Sequence, residues 1–192
     1  MVENLKTTKY NDGTSIPNVT NDDAWADLST GAYCNYDNLE SNVATYGRFY
    51  NWYAVNTGKL APAGWHVPTY NDWSILEKYL IANGYNWDGS KDGNKIAKSL
   101  CSKTGWESEH IVGSPGVKPE NNNSTGFTAL PVGSRDYSNG AFGGIGKKDC
   151  WWSSTERDGD YAYCRVLSYT LNYLLSNNLN KGYGFSIRLV KD

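Results

Sequence analysis

The stretch Gly64-Trp65-His66-Val67-Pro68-Thr69-Tyr70-Asn71-Asp72-Trp73 decides how the chain is read. Pro68 keeps the backbone before it extended, and Thr69 is a good helix N-cap, its side-chain oxygen able to accept from the first turn. Asp72, at the third helical position, sits at the positive end of the helix dipole. Trp73, Leu76, Tyr79 and Leu80 then share one face, and Gly84 closes the helix after Asn83. Upstream, residues 45–56 place Tyr46, Phe49, Tyr50 and Tyr53 at helical spacing, with Gly58 as terminator, and predict a second helix, although their aromatic content would also suit a strand. Further back, residues 3–10 read as a strand ending at Asn11-Asp12-Gly13, and Tyr33, Cys34 and Tyr36 as another.

Downstream, glycine and asparagine punctuate residues 85–126, and strands resume at residues 127–131 and 151–154. In residues 161–169, Tyr163, Arg165, Leu167 and Tyr169 fall on one face; Cys164, Val166 and Ser168 fall on the other, read as outward. Near the end, Phe185, Ile187 and Leu189 alternate with Ser186, Arg188 and Val190. Two early helices and several late strands give an α+β class, with two helices on a twisted antiparallel sheet and much loop. One domain over residues 1–192 is the expectation, and no 20–50-residue repeat interrupts it.

Composition narrows the function classes. The 192 residues carry 18 basic and 20 acidic side chains, net −2, which argues against a nucleic-acid surface. Only 39% are hydrophobic, and no run approaches the ~20 apolar residues of a membrane span. Apolar content rests on 15 Tyr and 8 Trp beside 21 Asn and 20 Gly, a vocabulary shared by aromatic-rich cores and adaptable binding surfaces. The opening Met1-Val-Glu-Asn-Leu shows no secretion signal and reads as the inside of a strand, so a longer polypeptide with a preceding strand is expected.

Catalytic and metal signatures are sparse. Cys34, Cys101, Cys150 and Cys164 form no CxxC motif; two disulfides in any of three pairings, or four free thiols, fit equally. Cys164 beside Arg165 raises the question of a reactive thiol. His66 and His110 stand in no ligand spacing, and His66 reads as structural. Asp88, Ser90, Asp92 and Gly93 imitate a calcium loop, but Ser99 occupies the twelfth position where a bidentate Glu is needed, so a solvated turn is favoured. No cofactor and no metal are expected. The segment 158–183 differs: Tyr161, Tyr163, Tyr169, Tyr173 and Tyr183 mix with Asn, Ser and Asp, Cys164 and Val166 read as outward, and Leu171, Leu174 and Leu175 occupy what reads as a loop or ribbon. Tyrosines beside exposed aliphatics point to a recognition patch.

The stretches MVENLKTTKYNDG, YGRFYNWYAVNTGKLAPAGWHVPTYNDW, GFTALPVGSRDY, WWSSTE and GYGFSIRLVKD resemble the Fibrobacter succinogenes major paralogous domain, in order and over nearly the whole chain. That resemblance implies a C-type lectin-like fold of the formylglycine-generating-enzyme type, on exported bacterial surface proteins or lipoproteins. The chain departs from the pattern in having Leu189 where a last-strand cysteine is frequent, and Cys164 alone where the oxidases use two cysteines. Lectin calcium motifs of the Glu-Pro-Asn and Trp-Asn-Asp kind are absent. Members also serve as variable proteins of diversity-generating retroelements. By that resemblance Trp152, Ala162, Arg165, Leu167, Gly184 and Phe185 are framework, and Asp158, Asp160, Tyr161, Cys164, Val166, Ser168, Thr170, Leu171, Tyr173 and Leu175 are substituted, ligand-binding positions. The expectation is a non-enzymatic adhesin or receptor-binding domain, at the cell surface or on a virion, contacting a protein or glycan, with Arg135, Asp136 and Tyr137 as neighbours of the patch. An oxidase of the formylglycine-generating type and a structural spacer are the alternatives.

Overall fold

A computed structural model describes residues 3–192; Met1 and Val2, read above as part of the first strand, lie outside the described residues. The helices are α1 (Asp22–Ala26), α2 (Val43–Tyr46), α3 (Trp52–Asn56), α4 (Tyr70–Ala82) and α5 (Ala97–Leu100). The strands are β1 (Tyr33–Cys34), β2 (Phe49–Tyr50), β3 (Trp65–His66), β4 (Val132–Arg135), β5 (Phe142–Ile145), β6 (Lys148–Glu156), β7 (Tyr161–Ser168), β8 (Leu175–Asn180) and β9 (Val190–Lys191). A five-stranded sheet in the order β5-β4-β6-β7-β8 carries the architecture; two-stranded pairs β1-β2 and β3-β9 flank it. All these pairings are antiparallel except β4 with β6. The molecule is mixed α+β, with few helices and a curled, antiparallel-rich sheet.

The expected helix from Thr69 is α4, closed by a full capping box between Thr69 and Asp72. The expected helix over residues 45–56 is broken. Gly47, at φ 77°, ends α2, and a Cβ there would lie 2.7 Å from that of Asn4. The chain then extends as β2, Arg48 N–H donating to Leu5 O and Tyr50 N–H to Phe185 O. Helix resumes when the Asn51 side chain accepts from Ala54 N–H and, across the loop, from Ala32 N–H. Aromatic spacing that fits one helix therefore serves two short helices and a strand.

Both faces of the central strands are covered. Cys150, Trp152, Cys164 and Val166 pack with Tyr50, Trp52, Phe185 and Ile187 on one side. Trp151 and Leu167 pack with Trp73, Ile96, Leu100 and Leu174 on the other. The outward placement of Cys164 and Val166 is thereby corrected: they are 1% and 8% exposed, because the β2 and 185–189 segments form a further layer over their face. Arg135 is likewise no surface neighbour of a patch. It is fully buried, paired with Asp22 at 2.7 Å and bonded to the carbonyls of Gly140, Val19 and Thr20.

A polar knot ties the first described residues to the last. Asn4 donates to Tyr46 O and Ser186 Oγ, and its carbonyl accepts from Trp151 Nε1 and Arg188 Nε. Among the described residues no helix is long and apolar enough to cross a membrane.

Candidate functional site

The site is built on β7 and β8. Their register sets Tyr161 opposite Asn180, Tyr163 opposite Asn178 and Arg165 opposite Ser176. Strand alternation puts these six on one face, away from the core that takes Ala162, Cys164, Val166, Leu175 and Leu179. Tyr161 is 41% exposed and Tyr163 half-buried. Tyr70, the first residue of α4 and also 41% exposed, reaches over this face; its ring lies 4.9 Å from that of Tyr163, tilted by 59°. The Arg165 guanidinium lies beneath, 4.8 Å from the Tyr70 ring centroid.

Local turns hold the rim. Asp158 Oδ1 accepts from Asp160 N–H at 3.1 Å and Tyr161 N–H at 3.0 Å, folding the β6–β7 connection into an Asx-type turn. Arg157 bonds to Asn178 Oδ1 across the strands. Lys181 is seated under the same turn by Glu156 and Gly159 O, with its ammonium 4.9 Å from the Trp52 ring centroid. The β7–β8 connection is a turn, with Leu171 N–H on Ser168 O and the Ser168 and Thr170 hydroxyls 3.0 Å apart.

The ten positions named from sequence divide by burial. Asp158, Asp160, Tyr161 and Tyr173 are exposed; Ser168, Thr170, Leu171 and Leu175 are half-buried; Cys164 and Val166 are core. Of the loop or ribbon read at 171–175, the ribbon begins at Leu175. Leu174 is 2% exposed, and Leu175 opens β8 against the core face. Tyr70, Tyr163, Ser176, Asn178 and Asn180 belong to the surface and were not named as contacts. Parity gives the signal for Tyr163, two residues from Tyr161; Tyr70 is brought in only by the packing of α4.

The other candidates resolve into structure. Asp88 takes Lys95 Nζ at 2.7 Å and Ser90 Oγ at 2.6 Å, which together hold its carboxyl well below the usual range. The Asn86 amide is bonded to the carbonyls of Ser90, Asp92 and Gly93. The side-chain oxygens of Asp88 and Ser90 are thus engaged within the turn. His66 lies between Asp192 Oδ1 at 2.6 Å and Asp72 Oδ2 at 3.1 Å, at the head of α4. All four cysteines are free and buried, which corrects the disulfide option. Burial pushes the Cys34 and Cys150 thiols up to about 12 and lifts Cys101 and Cys164 well above the ordinary range, the opposite of an activated thiolate. A groove of about 530 Å³ beside α4 is lined by Trp65, Trp73, Leu76, Tyr79, Phe127 and Leu189, with Asp72 and Arg188 bonded to protein groups at its margin.

Geometry of this kind defines a loop-rich domain that presents side chains from a rigid sheet face. Comparison with family models matches residues 1–191 to the Fibrobacter succinogenes major domain, and the chain belongs to that family. No curated protein and no solved structure matches it.

Proposed function

We propose that the chain is a non-enzymatic ligand-binding domain of the adhesin or receptor-binding type. Its contact surface is the outer face of β7 and β8 with Tyr70 and the 157–161 turn. The observation that supports this is the alternation itself: Tyr161 and Tyr163 project beside Asn180 and Asn178, while the intervening residues lock into core. Tyrosines held on a packed strand offer contact area at little conformational cost, and amides and hydroxyls orient what they touch. The same reading gives the domain a C-type lectin-like fold and display on a cell surface or a virion. Substitutions of the retroelement type would fall on the outward residues of the 158–175 segment.

The test is binding of the chain to panels of host-surface proteins and glycans, repeated with Tyr161→Ala, Tyr163→Ala and Tyr173→Ala. The first two variants should weaken an identified ligand about tenfold or more, as anchor tyrosines do, without shifting the melting temperature. Undiminished binding by both would place the contact surface elsewhere.

A further inference from the structure

Beneath the tyrosines lies a cation that no anion answers. Arg165 has the outward parity of β7 yet is 2% exposed. One terminal nitrogen donates to Ser74 Oγ at 3.1 Å, and the Tyr70 ring covers the guanidinium. Its buried Nε–H has no acceptor among the described residues, and no carboxylate there forms an ion pair with it. The other buried arginines differ. Arg135 has Asp22 and three carbonyls, Arg48 has Glu40 at 2.9 Å, and Arg188 faces Asp149 and bonds to the carbonyls of Phe127 and Thr128. A buried charge with an orphan donor is costly, and proteins keep such groups where something else completes them.

We infer that Arg165 anchors an anionic group, a carboxylate or a sulfate, carried by a glycan bound on the β7–β8 face; this rests on the ligand-binding reading above. A planar guanidinium matches either anion with paired hydrogen bonds. Tyr70 is the cover. It sits in the first turn of α4 with its ring half in solvent over the guanidinium, and an anion seated there requires that ring to swing aside. The surroundings select a sugar. The aliphatic side chains of the two strands are taken up by core, Val166, Leu175 and Leu179 on one side and Leu167 on the other, so rings, amides and hydroxyls remain outside. Tyrosine faces accept the C–H side of a pyranose, while Ser176, Asn178 and Asn180 supply donors and acceptors for its hydroxyls.

The experiment is calorimetric titration of the full chain with oligogalacturonate, its methyl ester, chondroitin sulfate, neutral galactan and polyglutamate. Oligogalacturonate or chondroitin sulfate should bind at least about tenfold more tightly than the ester and galactan; chondroitin sulfate carries uronate carboxylates as well as sulfates, so its binding without that of oligogalacturonate assigns the sulfate. Arg165→Met should erase that preference with the circular-dichroism spectrum unchanged. If Arg165→Met does not fold, Arg165→Lys decides: weakened acid binding with some preference retained supports the anchor, and unchanged affinity overturns it. Equal binding of acid and ester that still falls in Tyr161→Ala and Tyr163→Ala overturns the anchor and leaves the surface standing. Binding indifferent to both tyrosines removes the surface as well. Polyglutamate bound as tightly as the sugars, or no binding to any of the five, overturns the assignment of an acidic glycan.

Discussion

Asn94 holds Leu174 by both backbone groups: its amide donates to Leu174 O at 2.9 Å and its carbonyl accepts from Leu174 N–H at 3.1 Å. The pair spans 80 residues and fastens the segment entering β8 to the loop before α5. Asn94→Ala leaves two buried backbone groups unpaired, so a loss of about 1–3 kcal/mol is expected. At about 2–4 °C per kcal/mol for a chain of this size, thermal melting will show it. Asn94→Asp keeps the acceptor and should lose less.

The head of α4 gives a second prediction. Asp72 N–H donates to Thr69 Oγ1, and Thr69 N–H donates back to Asp72 Oδ2. Thr69→Ala should destabilise by about 1 kcal/mol, with Thr69→Ser close to the parent, both read from urea midpoints.

His66 makes stability depend on pH. Hydrogen bonding to Asp192 raises its pKa above the ordinary histidine value; burial opposes it in part, and the bond to Asp72 adds a lesser increase. A group raised in the folded state contributes fully below its unfolded pKa of about 6.5, and that contribution is lost as pH rises through the higher folded value. The imidazole is partly exposed, so the effect should stay below about 1 kcal/mol. Melting of the parent minus that of His66→Gln, scanned from pH 5 to 9, should decline across this window. A flat difference would show that the two carboxylates do not hold the imidazolium.

The cysteines predict a labelling result. A water-soluble thiol reagent should leave all four untouched in the native chain and modify four thiols once denaturant is added. Rapid labelling of one thiol without unfolding would contradict the burial of Cys164 and Cys150.

Gly47 tests the broken helix. Gly47→Ala sets a side chain at φ 77°, ψ −157° against Asn4, and that glycine-only backbone conformation alone costs about 1–3 kcal/mol. Gly58→Ala, also at positive φ but with open space around it, should cost less.

How far the sequence carried depended on whether local signals were decided locally. The α4 helix was legible because its cap, dipole partner and apolar face all lie within fifteen residues. Strand β7 was legible in period but not in orientation. Alternation shows which residues share a face, yet the layer covering Cys164 and Val166 comes from residues 49–52 and 185–187. Strand β8 was missed because Leu-Ser-Asn-Asn-Leu-Asn has little β propensity and is held by Leu175 and Leu179 against the core. Half of the candidate surface was visible as exposed tyrosine and aspartate; Tyr70 was not, since nothing near residue 163 in the chain announces it.

The two-sided burial of β7 also sets how this surface can change over generations. Cys164 and Val166 are fixed by the volume left for them, and a substitution there disturbs packing before it alters recognition. Tyr161 carries no such restriction on its outer side, and Tyr163 meets the half-exposed ring of Tyr70 there. Along this strand, tolerance to change is therefore concentrated at its first outward positions, because Arg165 and Leu167 on the same side are buried in their turn.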